Sequence, residues 1–384
     1  MQKNFNLYVM KLILTLSRPL AFSFCLNIFI GIVAYSQDPF LLAESYISQH
    51  IAENKIPGIA ACVVKGDQIV WSGAKGYANM EREIPMDTEM VMNIASISKT
   101  FTATAVMQLW EQGRIGLDDD INDYLPVSIR NPYHPDQSIT LFQLLTHTSS
   151  IVDGKFYDAS YSDGDPQISL EDWIRGYLLP GGSYYDDLQN FSVAEPGSQH
   201  DYSNVGYGLL GYLVEQISGM PFNLYCQKNI LSPLGMKQSG WFLHEVDTNR
   251  HITPYEFEEG QNKALNLYSF PNYPDGLLRT SVNDLSKFLT AIINGGSYED
   301  ATILKKSTLK KMLKLQLDGD PGQGLCWHLI PFESMWGHSG GDPGVATYMY
   351  FSPGTKIGVI AFQNNHNGDL FSVVRKLYYI AKDL

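Results

Sequence analysis

Cysteine is scarce: the chain has four in 384 residues, and only Cys62, Cys226 and Cys326 lie beyond residue 36. That is too few for a disulfide-built scaffold. An odd number allows one bridge at most and points to buried free thiols. Basic residues are also few, 27 against 40 acidic ones, for a net charge of −13 at pH 7. A chain this acidic is a poor polyanion binder, which argues against a nucleic-acid partner. The histidines are scattered, no H-E-x-x-H occurs and no Cys/His cluster has ligand spacing, so no metal or cofactor is expected. Internal repeats and low-complexity tracts are missing too. Residues 117–126 are the most acidic stretch, but they lack the ordered oxygens and trailing glutamate of a calcium loop and read as a solvated turn.

Long apolar runs are limited to one, residues 20–33, preceded by Lys3, Lys11 and Arg18 and by no acid. This reads as a secretory signal, residues 1–36, with Ala34-Tyr-Ser36 as the small-residue cleavage site before Gln37. Met10 is an alternative start, since Met10-Lys-Leu-Ile-Leu makes a conventional leader opening. Asn27 and Gly31 interrupt a run already short for a membrane span, so membrane attachment is expected only if the segment stays uncleaved. Cys25 is followed by further apolar sequence and does not read as a lipidation site. Export places residues 37–384 in the periplasm or outside the cell, with 24 basic and 40 acidic residues, net −16.

What remains is long and 44% apolar, enough for a large core arranged as one big domain or two lobes. Residues 40–53 read as an amphipathic helix, and residues 56–79 as two strands joined at Lys65-Gly-Asp67. Thr140-Leu-Phe-Gln-Leu-Leu reads as a short helix, residues 201–219 as a helix ended by Gly219, and Ser281 as the N-cap of another. Residues 151–195 hold many aromatics among Asp and Gly; a long irregular stretch of this kind either walls a pocket or packs on a neighbouring helix. Residues 230–280 are loop-rich. Residues 324–330, 345–351 and 356–362 read as strands, and residues 370–384 as a terminal helix. Strands at both ends with helices between imply one sheet built from both ends and a helical lobe inserted in it.

The chemistry concentrates at Ser96-Ile-Ser-Lys99, at the start of a helix carrying Ala103, Val106, Met107 and Trp110 at helical spacing, with Gly113 as its stop. Three residues of helix bring a hydroxyl and an amine onto one face. In a first turn, unpaired N–H groups and the positive dipole end favour negative charge on Ser96. The pattern is common: Ser307-Thr-Leu-Lys310 repeats it within a lysine-laced segment that reads as a solvated face. Two further pieces give it weight, Tyr202-Ser-Asn204 and His338-Ser-Gly340 just before the strand at Val345.

Taken in order, and with Leu144-Leu-Thr-His-Thr-Ser149, Pro196-Gly197, residues 277–288 and Gly337-His-Ser-Gly-Gly341 beside them, these motifs resemble the serine β-lactamase and penicillin-binding family. The likeness is to the branch with tyrosine in its second motif: class C β-lactamases, DD-carboxypeptidases, D-aminopeptidases and esterases. It covers nearly all of residues 37–384. The resemblance implies an α/β fold of α+β type, an antiparallel sheet from both chain ends (about 37–95 and 282–384) with a mainly helical lobe (about 96–281). It also implies a serine hydrolase acting through an acyl-enzyme on a small-molecule or peptide substrate. Ser96 would attack, with Lys99 or Tyr202 as base; an ammonium beside the phenol pushes Tyr202 toward its charged form. Asn204 would hold Lys99 and the substrate amide oxygen, and the backbone N–H groups of Ser96 and Gly341 would form the oxyanion hole. His338, Ser339 and Gly340 complete the substrate-binding strand.

The third motif departs from β-lactamases, which carry lysine where His338 stands. An unperturbed histidine is mostly neutral at pH 7, so its pull on a substrate carboxylate is weak. That leaves peptidase, carboxypeptidase or esterase activity, with weak β-lactamase activity at most. Ser150, where relatives usually have Gly, affects a local turn. Two alternatives use the same residues differently. One is a non-catalytic penicillin- or peptide-binding protein with this pocket. The other is an α/β-hydrolase lipase with Ser339 as nucleophile in a G-x-S-x-G, which would need a helix after the serine. The sequence sets no oligomeric state.

Overall fold

The computed structural model describes residues 39–319, 321–330 and 334–384. The leader lies outside them. The sheet is built from Gly58–Lys65 (β1), Gln68–Asn79 (β2), Ile84–Pro85 (β3), Gly322–Gln323 (β4), His328–Ile330 (β5), Met335–Asp342 (β6), Val345–Ser352 (β7) and Ile357–Gln363 (β8). Its order is β4-β5-β6-β7-β8-β1-β2-β3, with antiparallel neighbours throughout. The early strand β1 and the late strand β8 therefore pair at the centre, Ala61 opposite Ala361.

The helices that matter are Pro39–Asn54 (α1), Ser98–Glu111 (α2), Leu141–Leu145 (α3), Leu170–Leu178 (α4), Asn204–Ser218 (α5), Val282–Ile293 (α6) and Leu370–Lys382 (α7). Successive residues of a strand face opposite ways, and β1 is buried on both sides. Ile59, Ala61 and Val63 meet Phe40, Ala43 and Ile47 of α1 and Val373, Val374 and Leu377 of α7. Ala60, Cys62 and Val64 join the larger core, which takes in α2, α5 and α6. The apolar spacing of α7 (370, 373, 374, 377, 378, 381) is that of a helix with one face on a sheet. Helix α2 is buried from Ser98 to Leu109 because it lies between sheet and helical segment. Its buried threonines are satisfied within the protein: Thr100 Oγ1 donates to the Ile97 carbonyl (2.7 Å) and Thr102 Oγ1 to the Pro274 carbonyl (2.6 Å).

Three boundaries differ from the sequence reading. Ser96 sits in a 3-10 turn, Ala95–Ile97, ahead of α2 and not in its first turn. Helix α5 starts at Asn204, leaving Tyr202 in the segment before it, and ends as expected with Gly219 at φ 73°. Of the strand expected over residues 324–330 only His328–Ile330 (β5) forms, because Cys326 at φ 76° turns the chain and its N–H goes to the Leu145 carbonyl (3.0 Å). Cys62, Cys226 and Cys326 are buried free thiols. Ser307 and Lys310 are both exposed on the short helix Lys306–Met312, a solvated face.

Candidate active site

Lys99 is the hub. Fully buried, its Nζ donates to Ser96 Oγ (3.0 Å), Asn204 Oδ1 (2.6 Å) and the Asp275 carbonyl (2.9 Å). Tyr202 lies beside them, with Lys99 Nζ 5.0 Å from the centre of its ring and Ser96 and Lys99 both acting on its phenol. Four residues read from the sequence, Ser96, Lys99, Tyr202 and Asn204, thus meet at one point.

Each is held by a local device. Ala95 takes φ 46°, a left-handed conformation that costs a non-glycine residue about 1–3 kcal/mol and needs its surroundings to enforce it. On its N-terminal side Ile94 is pinned at both ends, its N–H to the Leu278 carbonyl (2.8 Å) and its carbonyl to Thr347 Oγ1 (2.8 Å). Strand β6 packs against this turn. A Cβ at Gly340 would stand 2.5 Å from the Ile94 carbonyl oxygen and 3.0 Å from Ala95 Cβ, so only glycine permits the approach.

Asn204 opens α5, and Asp153 caps that helix end. The N–H groups of Asn204 and Val205 and the Asn204 side-chain amide all donate to the Asp153 carboxylate (2.9, 2.9 and 2.8 Å). The aromatic stretch supports this cap, since the Tyr177 hydroxyl accepts from Gly154 N–H (2.5 Å) and donates to the Val152 carbonyl (3.2 Å). Behind Tyr202, the buried His147 ring stacks at 4.2 Å and its Nδ1 accepts from Ser203 N–H (3.0 Å), which aims the segment carrying the phenol.

The electrostatics follow from burial. Desolvation alone would strip the charge from Lys99, but the negative charge that Tyr202, Asp275 and Asp153 can carry outweighs it and raises its pKa; with Tyr202 neutral, the Asn204 and Asp275 oxygens that accept from Nζ and the Asp275 carboxylate 4.0 Å away hold the ammonium. For Tyr202 the balance goes the other way: burial raises the phenol, and Lys99 with the Ser96 bond only partly offsets it. The expectation of a phenol pushed toward its charged form is therefore corrected; the resting group is neutral. Burial also pushes Asp275 up to about 7, against the pull of Lys99 and of the Tyr157 hydroxyl that donates to its Oδ2 (2.6 Å).

The third motif divides by face. Asp342 and Gly341 line, with Ser96, Asn204, Tyr157 and Tyr161, a cleft of about 420 Å3. Strand β5 pairs with β6 only as far as Gly337, so beyond that point the cleft edge of β6 keeps its N–H and C=O groups free of a strand partner. His338 is not in the cleft wall. It is 1% exposed, stacks on His328 (4.5 Å) and lies 6.4 Å from the Tyr202 ring, with Nδ1 against the Ser339 carbonyl (2.6 Å). Burial drives its pKa well below the ordinary value, so it is neutral. Ser339 stands opposite Tyr348 of β7 and beside Tyr350, whose side chain belongs to the core on the α1 and α7 side, away from Ser96. Gly337-His-Ser-Gly-Gly341 is mid-strand with no helix behind it, which removes the lipase alternative.

Asp153, Asp275, His147 and Asp342 escaped the sequence reading. Asp275 stands in Pro-Asp-Gly, a turn signal that says nothing about which way the carboxylate faces.

A two-ended antiparallel sheet with a helical insertion, and a serine bonded to a buried lysine at the junction, are the fold and site of the serine hydrolase family of penicillin-binding and β-lactamase type. The chain belongs to that family: a model described as Beta-lactamase matches residues 43–381. PbpX of Bacillus subtilis (strain 168), a protein assigned by name to the penicillin-binding proteins, is 26% identical over 351 residues, 87% of this chain and 77% of that one. The chain spans 63% and 62% of two further curated relatives. The octameric penicillin-binding protein homologue from Pyrococcus abyssi superposes with a TM-score of 0.73 at 29% identity, over 89% of this chain and 77% of that one. The D-amino acid amidase from Ochrobactrum anthropi SV3 shares the fold, with a TM-score of 0.72 at 22% identity over 90% and 98%.

Proposed function

We propose that the chain is an exported serine hydrolase that cleaves an amide or ester through an acyl-enzyme on Ser96. The observation that carries this reading is the Lys99 ammonium bonded at 3.0 Å to Ser96 Oγ and fixed by Asn204 and Asp275. An ammonium cannot accept the serine proton, which leaves the phenol oxygen of Tyr202. Because that phenol is neutral at rest, it takes the Ser96 proton only while passing its own to the leaving nitrogen or oxygen. Deacylation reverses the relay: water gives its proton to Tyr202 as Tyr202 returns one to Ser96. The carbonyl oxygen, negative in the tetrahedral state, meets the N–H groups of Ser96 and Gly341 at the open edge of β6. Export is supported by the basic-then-apolar leader.

The test is incubation with nitrocefin, a p-nitrophenyl ester and a D-Ala-D-Ala peptide, with mass spectrometry of the intact protein. Turnover lost in Ser96→Ala supports the reading. Full ester hydrolysis by Ser96→Ala sinks it, and a stable adduct without turnover makes the protein a binding protein instead.

A further inference from the structure

Carboxylates dominate the wall of the cleft that holds Ser96. Asp342 comes from the end of β6, Asp275 from the 3-10 turn Tyr273–Asp275, and Asp158 from beside the two lining tyrosines. Asp342 and the Ser96 turn are close neighbours: a methyl built on Gly276 would lie 3.7 Å from Asp342 Oδ2 and 3.8 Å from the Ala95 carbonyl carbon. The wall holds no arginine or lysine among the described residues, and the Lys99 hydrogens at the cleft floor are already committed.

Of these carboxylates Asp275 has one cation near it, Lys99 Nζ at 4.0 Å from Oδ2, and Asp342 has none within ion-pair distance among the described residues. Asp342 receives neutral donors only, the Tyr161 hydroxyl (2.9 Å) on Oδ1 and the Asn93 amide (3.1 Å) on Oδ2. Asp275, 1% exposed, is partnered on Oδ2, but its Oδ1 accepts no hydrogen bond at all. A buried acceptor left open costs free energy unless something arrives to fill it. His338, at the position where a lysine would attract an anion, is neutral and turned out of the cleft.

Resting on the assignment of Ser96 as the acylated residue, we infer that the cleft selects substrates carrying a protonated amine near the scissile carbonyl and rejects those carrying a carboxylate there. An ammonium supplies the counter-charge that Asp342 lacks and a donor for the open Oδ1 of Asp275, in a cleft that Tyr157 and Tyr161 also line. A carboxylate in the same place meets like charge with no donor to offset it. Burial already pushes both aspartates up to about 7, so a bound cation favours their ionised forms and its arrival releases protons.

The experiment measures inhibition of p-nitrophenyl butyrate hydrolysis by three boron acids that bond reversibly to a serine oxygen: phenylboronic acid, its 3-aminomethyl derivative (cationic) and its 3-carboxy derivative (anionic). In the wild-type chain the cationic compound should inhibit at about tenfold lower concentration than the anionic one, a difference that shrinks as salt is added. In Asp342→Asn the ratio of the two inhibition constants should fall by about fivefold. Equal inhibition by the two, or tighter anion binding, overturns the inference, and an unchanged ratio in Asp342→Asn removes Asp342 from it. The ratio within wild type decides even if that variant does not fold. Failure of the parent reading looks different: phenylboronic acid itself has no effect, or Ser96→Ala still hydrolyses the ester.

Discussion

At the scale of single residues, the site is a problem in proton placement. With Tyr202 as the proposed acceptor of the serine proton, Tyr202→Phe should lower kcat on a p-nitrophenyl ester by about a hundred- to ten-thousandfold. Circular dichroism and Tm should stay near wild type, since the ring still stacks on His147. The raised carboxyls make a second expectation. Asp342 goes from 3.8 in the unfolded chain to about 7 in the fold. The folded state holds that proton more tightly, so the associated stability is full below 3.8 and is lost as pH rises through about 7. Asp342→Asn has no such loss. Its Tm relative to wild type should therefore climb between about pH 5 and pH 8, whatever constant offset follows from losing the Asn93 bond. A flat difference across that range would show that the carboxyl is not held protonated. Ser96, Lys99, Tyr202 and Asn204 could be read from the sequence because two short spacings carry them. Asp153 and Asp275 could not, since each is a single acid in a loop whose partner is 50 or more positions away, and His147, although it lies in the quoted Leu144–Ser149 stretch, gives no local sign that its ring meets Tyr202.

Elements, not residues, set the distances in the cleft. Helix α5 presents Asn204 because Asp153 caps its first turn. Asp153→Ala should destabilise the chain by about 1–2 kcal/mol in urea titration and lower kcat by more than that loss of folded protein explains. Rescue of stability by Asp153→Asn without rescue of kcat would separate capping from charge. Strand β6 reaches the Ser96 turn only through a residue with no side chain. Gly340→Ala should push the two apart and reduce kcat by about a hundredfold, with a small change in Tm. Activity within twofold of wild type would mean the turn does not need that contact. The elements themselves were largely legible: α1, the β1–β2 hairpin, the capped α6 and α7 all follow from apolar period and turn residues. The break between β4 and β5 was not, because the left-handed Cys326 is stabilised by a carbonyl from distant Leu145, which no local pattern announces.

For the whole molecule, the larger core runs without interruption from Ala60 and Cys62 in the sheet through Phe101 and Val106 of α2 to Leu209 and Leu213 of α5. Two lobes that share a core should unfold together. Calorimetry should show one transition with matching calorimetric and van't Hoff enthalpies, and two resolved peaks would refute this. Strands at both chain ends with helices between had implied this arrangement, as the central β1–β8 pairing shows. The sharing of one core between sheet and helices was not implied, because it depends on α2 being buried all round, and its polar Thr100, Thr102 and Thr104 hide that from any reading of apolar stripes.

The lysine described at the site stands 3.0 Å from the oxygen that would carry the acyl group. At that distance a free amine would capture the acyl group itself, ending in an amide that water does not reopen. With its hydrogens donated to Ser96, Asn204 and the Asp275 carbonyl, Lys99 has no lone pair to attack with. The same tripod that steadies the serine thereby protects the intermediate from its nearest neighbour, and repeated turnover should leave the mass of the lysine-bearing peptide unchanged.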